Sequence, residues 1–425
     1  MSTAPRSPWA WIPSLYLLQG LPYMVVMSLS VTLYKNLGLS NTDIALYTSW
    51  LYLPWVIKPL WSPLIELLGT KRRWIWPTQF LVGALLASVA LTLPTPHFFQ
   101  MSLAVLWLMA FASASHDIAA DGFYMLALKT HQQAAFVGVR SAFYRAANIL
   151  GQGGLVYLVG VWTQHSGSAV TAWQGVMALL ALLFGVAALW HWMVLPHPEA
   201  DRPQPVTDWR RFVRESAEVF VAFFRKPGIG VVLAFLLLYR FPEAQLLKLV
   251  SPFLLDPTAK GGLGFDNQQL GIAYGTVGIS ALTLGGIVGG WLISRVGLHR
   301  ALWPMALAIN VPNVVYLLLA WQHPGSLWWV SAALAVEQFG YGLGFTAYLM
   351  VMIWVADGPH KTAHYAICTG FMAMGMMLPG MWSGWLQDQI GYLAFFAWVL
   401  VATIPSFVVT GLIRVPRGFG QKDPA

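Results

Sequence analysis

The chain has 425 residues, 57% of them hydrophobic and only 9% charged, with a formal net charge of +8. So few polar groups cannot cover a soluble globule of this size, which excludes a water-soluble domain as the bulk of the chain. A single cysteine, Cys368, excludes an intramolecular disulfide or a thiolate cluster.

Repeated apolar runs, each long enough at roughly 20 residues to cross the ~30 Å hydrocarbon layer, predict a polytopic helical membrane protein. About twelve spans fall at 9–34, 41–66, 74–94, 98–127, 137–163, 170–195, 228–250, 267–294, 301–321, 327–355, 363–387 and 391–413. The stretches 1–8 and 414–425 are expected to be short tails. The first span is too long for a secretory leader and carries Pro13 and Pro22, so it is expected to be retained.

In the first span Tyr16, Gln19, Pro22 and Tyr23 recur at helical spacing. Gln19 and Tyr23 lie one turn apart and can either hydrogen-bond sugar or amide groups or pack between helices. An ionisable side chain at membrane depth costs on the order of 3 kcal/mol on insertion scales, so it is paired or faces water. Asp117 and Asp121 share one face of the fourth span, and Arg140 and Arg145 open the fifth on the same side, so antiparallel packing can join an Arg to an Asp. Both aspartates and Arg145 are candidates for proton coupling or substrate binding, and Asp121 with Arg140 also fits a structural pair at a cytoplasmic gate. His116 is a proton carrier or a histidine bonded to a neighbouring helix.

The stretch from Pro196 to Thr207 has the Pro and charge content of a linker. Asp208-Trp209-Arg210-Arg211-Phe212-Val213-Arg214-Glu215 then opens an amphipathic surface helix running to about Phe224, with a basic and an apolar face. The seventh span contains Tyr239-Arg240-Phe241-Pro242-Glu243-Ala244-Gln245 near mid-membrane. Pro242 removes a backbone donor, and such a broken turn is tolerated at depth chiefly where it lines a cavity. Arg240 and Glu243 are three apart and can pair, which makes them the leading candidates for a functional site. In the tenth span Glu337 precedes Gly340, Gly342 and Gly344, glycines that let a helix or a ligand approach the backbone. Glu337 is a proton or substrate candidate. Lys58 and Lys248 can contact an anion, although long basic chains near span ends also snorkel.

Lys and Arg fall almost entirely on alternate loops, including Lys71, Arg72, Arg73, Lys129, Arg210, Arg225, Arg295, Arg300 and Lys361, while the opposite loops hold Lys35 and Lys260. That bias predicts cytoplasmic termini and accounts for the net charge, so no nucleic-acid partner is expected.

The two halves repeat each other. Leu39-Ser40-Asn41-Thr42-Asp43-Ile44 opens the second span as Phe265-Asp266-Asn267-Gln268-Gln269-Leu270 opens the eighth. The ends match too: Glu66-Leu67-Leu68-Gly69-Thr70-Lys71-Arg72 is similar to Ser294-Arg295-Val296-Gly297-Leu298-His299-Arg300. Two six-span halves in parallel duplication resemble the major facilitator plan, and these loops look like degenerate copies of its Gly-x-x-x-Asp-Arg-x-Gly-Arg-Arg loop, with Glu66 where the Asp would lie. The resemblance implies an all-α fold divided as 1–195, a cytoplasmic linker at 196–227, and 228–425. Glu66, Lys71, Arg72, Arg140, Arg295 and Arg300 then belong to the cytoplasmic gate or its structural support.

Ala114-Ser115-His116-Asp117-Ile118-Ala119-Ala120-Asp121-Gly122, with Gly138-Val139-Arg140 and Tyr144-Arg145, resembles the family of the AmpG muropeptide permease and the acetyl-CoA transporters, which carries Gln-Asp-Ile-x-x-Asp here. Glu337-Gln338-Phe339-Gly340-Tyr341-Gly342-Leu343-Gly344-Phe345-Thr346-Ala347-Tyr348 resembles its tenth span, and Pro379-Gly380-Met381-Trp382-Ser383-Gly384-Trp385 its eleventh. The resemblance implies an inner-membrane secondary transporter working as a monomer, importing a cell-wall-derived anhydro-muropeptide with protons. Siderophore importers of the same family keep a second ligand class open, and a non-transporting sensor is a third reading. No phosphate-binding loop, nucleophile elbow, zinc-type His pair or Cys pair is visible, so no enzymatic activity, cofactor or metal is expected.

Overall fold

A computed structural model of the chain describes residues 7–67, 69–199, 201, 209–358 and 360–421. Among the described residues nine helical stretches are long and apolar enough to cross a membrane: Pro8–Asn36, Lys71–Thr92, Phe98–Ala127, Ala169–Val194, Ile229–Leu255, Asn267–Val296, Leu298–Gln322, Leu327–Ala356 and Ala363–Leu412. The last is two helices meeting at Gly391, whose φ of 77° breaks the helical path. The second and fifth expected spans are also helical, as Asn41–Trp50 with Leu53–Leu67, and as Thr130–Ile149 continuing to Ser166. They are less apolar than the rest because Asp43, Lys58 and Glu66 interrupt one, and Gln132, Arg140, Arg145 and Gln152 the other. Described this way, the chain has the all-α architecture of twelve spans.

The paired span openings share a physical device. Ser40 caps the second span by accepting from the Asp43 amide at 3.0 Å, and Asp266 caps the eighth by accepting from the Gln269 amide at 2.8 Å. The loops that follow both pass through a glycine with positive φ, Gly69 at 145° and Gly297 at 77°.

Contacts divide the chain into two compact units, residues 1–37 with 57–207, and residues 38–56 with 208–425. In the first unit Gly20 lets the first span approach the fifth, where an added Cβ would sit 2.7 Å from Ala147 Cβ. Gly83 does the same between the third and sixth spans, 3.1 Å from the Ala181 carbonyl. A cluster of Trp11, Ile75, Phe123 and Leu195 closes one end.

In the second unit a Cβ at Gly340 would overlap the Ala308 carbonyl, and one at Gly342 the Leu282 carbonyl. The glycines of the tenth span therefore face the ninth and eighth spans, and the open choice between helix and ligand is resolved in favour of helices. The segment Asn41–Trp50 packs here as well. A Cβ at Gly384 would overlap the Asn41 carbonyl, Asn41 Nδ2 donates to Gln387 Oε1 at 2.6 Å, and Thr42 Oγ1 donates to Asp388 Oδ2 at 2.6 Å. The amphipathic linker helix, Trp209–Phe224, is anchored in this unit: Phe223 is fully buried in the core and the His364 ring lies 3.3 Å from the Val219 carbonyl.

Candidate functional site

The seventh span is broken where Pro242 predicts it. Ile229–Leu238 ends, Tyr239 and Arg240 form a turn, and Phe241–Leu255 begins with Pro242 in its first turn, where a missing N–H costs nothing. The carbonyls beside the break find hydroxyl donors, Ser406 to Tyr239 O and Tyr348 to Leu236 O, each at 2.7 Å.

Arg240 lies at this break and grips Glu243 with two hydrogen bonds, Nε to Oε2 at 3.0 Å and Nη2 to Oε1 at 2.6 Å. The side chains are 8% and 3% exposed, so the pair is held away from water. Nη2 also donates to the Tyr341 hydroxyl at 2.7 Å, and the guanidinium lies 4.6 Å from the Phe345 ring centre. Arg is the residue suited to this combination of forked pairing and stacking. Tyr341, Phe345 and Tyr348 were not singled out from sequence, although their spacing places them along one side of the tenth span.

Glu337, on the same span, is buried and accepts from Tyr316 OH and from Gln338 Nε2, both at 2.9 Å. Lys248 does not snorkel. It is 4% exposed, its Nζ donates to Thr48 Oγ1 at 2.9 Å, and it stands 5.2 Å from the Tyr52 ring centre.

In the first unit Asp121 meets Arg140 at 2.9 Å, with Tyr16 OH donating to the same oxygen at 3.3 Å and Gln19 Nε2 at 3.5 Å. The Arg140 guanidinium also stacks 4.5 Å from the Tyr16 ring centre. Asp117 faces Lys58 Nζ at 3.7 Å, a pairing across two spans that spacing along the chain does not reveal. Arg145 and Tyr23 are half-buried on the fifth and first spans. His116 is bonded to a neighbouring helix: its Nε2 lies 3.0 Å from Gln79 Nε2, the His191 Nδ1 lies 2.8 Å from Gln79 Oε1, and Ser14 Oγ lies 3.0 Å from His191 Nε2. One consistent assignment has the Gln79 amide donating to His116 and accepting from His191, which ties the first, third, fourth and sixth spans together.

Of the expected gate residues, Lys71 and Arg72 both engage Asp201 through their backbone. Their amides donate to the Asp201 carboxylate at 2.7 and 3.0 Å, while the Arg72 guanidinium donates to the carbonyls of Leu195 and Trp192. Arg295 lies 5.0 Å from the Trp291 ring centre, and Arg300 is exposed. The side chain of Glu66 lies outside the described residues, as do those of Arg210 and Arg211 and the linker stretch 202–208. Among the described residues no group of three or more His, Cys, Asp or Glu is arranged to hold a metal.

Residues 14–366 match the family model of the Major Facilitator Superfamily. The chain belongs to this superfamily. This transporter is 26% identical over 366 residues to the anhydromuropeptide permease of Escherichia coli K12, covering 85% of this chain and 70% of that one. It is 22% identical over 408 residues to the putative transporter AmpG 4 of Rickettsia conorii, covering 92% and 93%. Among solved structures, the nucleoside transporter NupG superposes with a TM-score of 0.66 at 16% identity over 94% of this chain and 96% of that one. A D-xylose–proton symporter gives 0.67 at 14% over 97% and 98%. The chain is therefore a multi-pass membrane transporter, and the AmpG-like resemblance drawn from the fourth and tenth spans stands.

Proposed function

We propose that this transporter imports an anhydro-muropeptide across the inner membrane together with protons, with both termini in the cytoplasm. The observation that carries the reading is the buried Arg240–Glu243 pair at the broken turn of the seventh span, wrapped by Tyr341, Phe345 and Tyr348. The similarity to the E. coli anhydromuropeptide permease supports the substrate class.

The pair supplies a coupling chemistry. While Arg240 holds both carboxylate oxygens, a proton at Glu243 would leave the guanidinium uncompensated. A proton therefore enters only as Arg240 moves off, and the Tyr341 hydroxyl and the Phe345 face are already placed to receive it. Protonation and a change in the seventh and tenth spans then occur as one event. Asp117 and Glu337 are further proton-accepting candidates, with Gln19 and Tyr23 as partners for sugar or amide groups.

The test is Glu243→Gln in proteoliposomes carrying an internal pH dye. The variant is expected to exchange labelled for unlabelled muropeptide at equilibrium while losing substrate-driven proton entry. Full proton entry with Glu243→Gln would remove the pair from the coupling step.

A further inference from the structure

We infer that Lys248 is a carboxylate-recognition subsite that the transported anion fills when the piece of the second span that carries Thr48 moves aside. The proposal deepens the function proposed above and rests on it for the identity of the substrate.

Three other basic side chains of the spans each face a carboxylate: Arg240 has Glu243, Arg140 has Asp121 and Lys58 has Asp117. Lys248 is as deeply buried as Arg240, yet among the described residues no carboxylate stands within ion-pair distance of it. Its ammonium has one hydroxyl, Thr48, and one ring, Tyr52. A buried cation so poorly compensated is expensive in a membrane interior, and polar groups retained there mark substrate or ion paths.

A second buried polar group, on the segment that covers Lys248, is also unsatisfied. Ser49 is fully buried and its Oγ has no hydrogen-bond partner. Ser49 Oγ and the aliphatic stem of Lys248 both pack on Gly380, where a Cβ would lie 2.7 Å from Ser49 Oγ and 3.4 Å from Lys248 Cγ. An ammonium without an anionic partner matches a carboxylate oxygen through a charge-assisted hydrogen bond.

The covering segment is a separate helical piece. Asn41–Trp50 is a helix of its own, separated from Leu53–Leu67 by a turn at Leu51 and Tyr52, with Pro54 unable to donate across it. It rests on Gly380 and Gly384, and its side-chain hydrogen bonds to the eleventh span lie at the far end, from Asn41 to Gln387 and from Thr42 to Asp388. Movement of this piece takes Thr48 off Lys248 and leaves the ammonium to an incoming carboxylate.

The experiment measures binding to protein in nanodiscs by tryptophan fluorescence. The probes are N-acetylglucosaminyl-anhydro-N-acetylmuramic acid, whose lactyl carboxylate is free, and its neutral lactyl methylamide, each tested on wild type, Lys248→Met and Lys248→Arg. Wild type and Lys248→Arg are expected to favour the acid at least tenfold, and Lys248→Met to bind both probes equally. An unchanged preference in a folded Lys248→Met protein would overturn the proposal. Thermal stabilisation by simple carboxylates, lactate and citrate, separates this idea from the parent reading. Stabilisation of wild type but not of Lys248→Met upholds the subsite even where neither muropeptide probe binds, a result that would sink only the muropeptide assignment. Equal stabilisation of both proteins, or of neither, counts against Lys248. Without ligand, Lys248→Met should melt no lower than wild type, because it removes an uncompensated charge; a marked loss of stability would mean a structural role.

Discussion

The Arg240–Glu243 pair gives a stability prediction whose size follows from its burial. Removing the carboxylate by Glu243→Leu leaves a guanidinium that is 8% exposed with two N–H groups stripped of their acceptor. Breaking a buried pair from one side costs about 3–5 kcal/mol, because the surviving charge stays desolvated. Arg240→Met alone strands the Glu243 carboxylate, which is 3% exposed, and should cost a similar amount. The double variant removes both charges and fills the space with apolar atoms, so it should return to within about 1 kcal/mol of wild type or exceed it. The implied coupling is therefore about 5 kcal/mol or more in a double-mutant cycle, far above the scatter of independent sites. Reversible unfolding in mixed detergent micelles, followed by tryptophan fluorescence, measures it. A double variant that loses the sum of the two single losses would refute the claim that this is a desolvated, mutually dependent pair.

Other substitutions separate packing from pairing. Gly384→Val drives a side chain into the Asn41 carbonyl and should cost about 3 kcal/mol or more, seen as a fall in melting temperature and yield. Asp121→Asn keeps an oxygen acceptor for Arg140, Tyr16 and Gln19 and should change stability by less than about 1 kcal/mol in the same unfolding assay. Glu337→Gln keeps an acceptor for Tyr316 and Gln338 and should stay within about 1 kcal/mol of wild type, whereas Glu337→Leu strands both donors and should cost about 2–4 kcal/mol. Gln79→Leu removes the partner of both His116 and His191, and a loss of about 2–4 kcal/mol is expected on thermal unfolding.

Interactions written along one helix were legible in the sequence; interactions between helices mostly were not. The fourth span runs over Phe98–Ala127 and the tenth over Leu327–Ala356, within a residue of the apolar runs that predict them. The break at Pro242 and the Arg240–Glu243 pair follow from a missing donor and a three-residue spacing. The pairing of Asp117 with Lys58 joins two spans, and spacing along either one is silent about it. His116 shows the same limit, since its partner Gln79 stands on the third span. Lys248 was obscured by its position near the expected end of its span, because the helix continues to Leu255 and carries the side chain inward. The separate Asn41–Trp50 piece of the second span has a visible sign in Pro54, whose missing N–H interrupts the helix next to Leu51 and Tyr52.

The most direct test is uptake of labelled N-acetylglucosaminyl-anhydro-N-acetylmuramic acid by proteoliposomes containing the wild-type chain, with and without an imposed inward proton gradient. Accumulation above the external concentration only when the gradient is present is the predicted result. Uptake that merely equilibrates and ignores the gradient would contradict proton coupling. No uptake by folded protein that accumulates a ferric siderophore instead would contradict the substrate assignment.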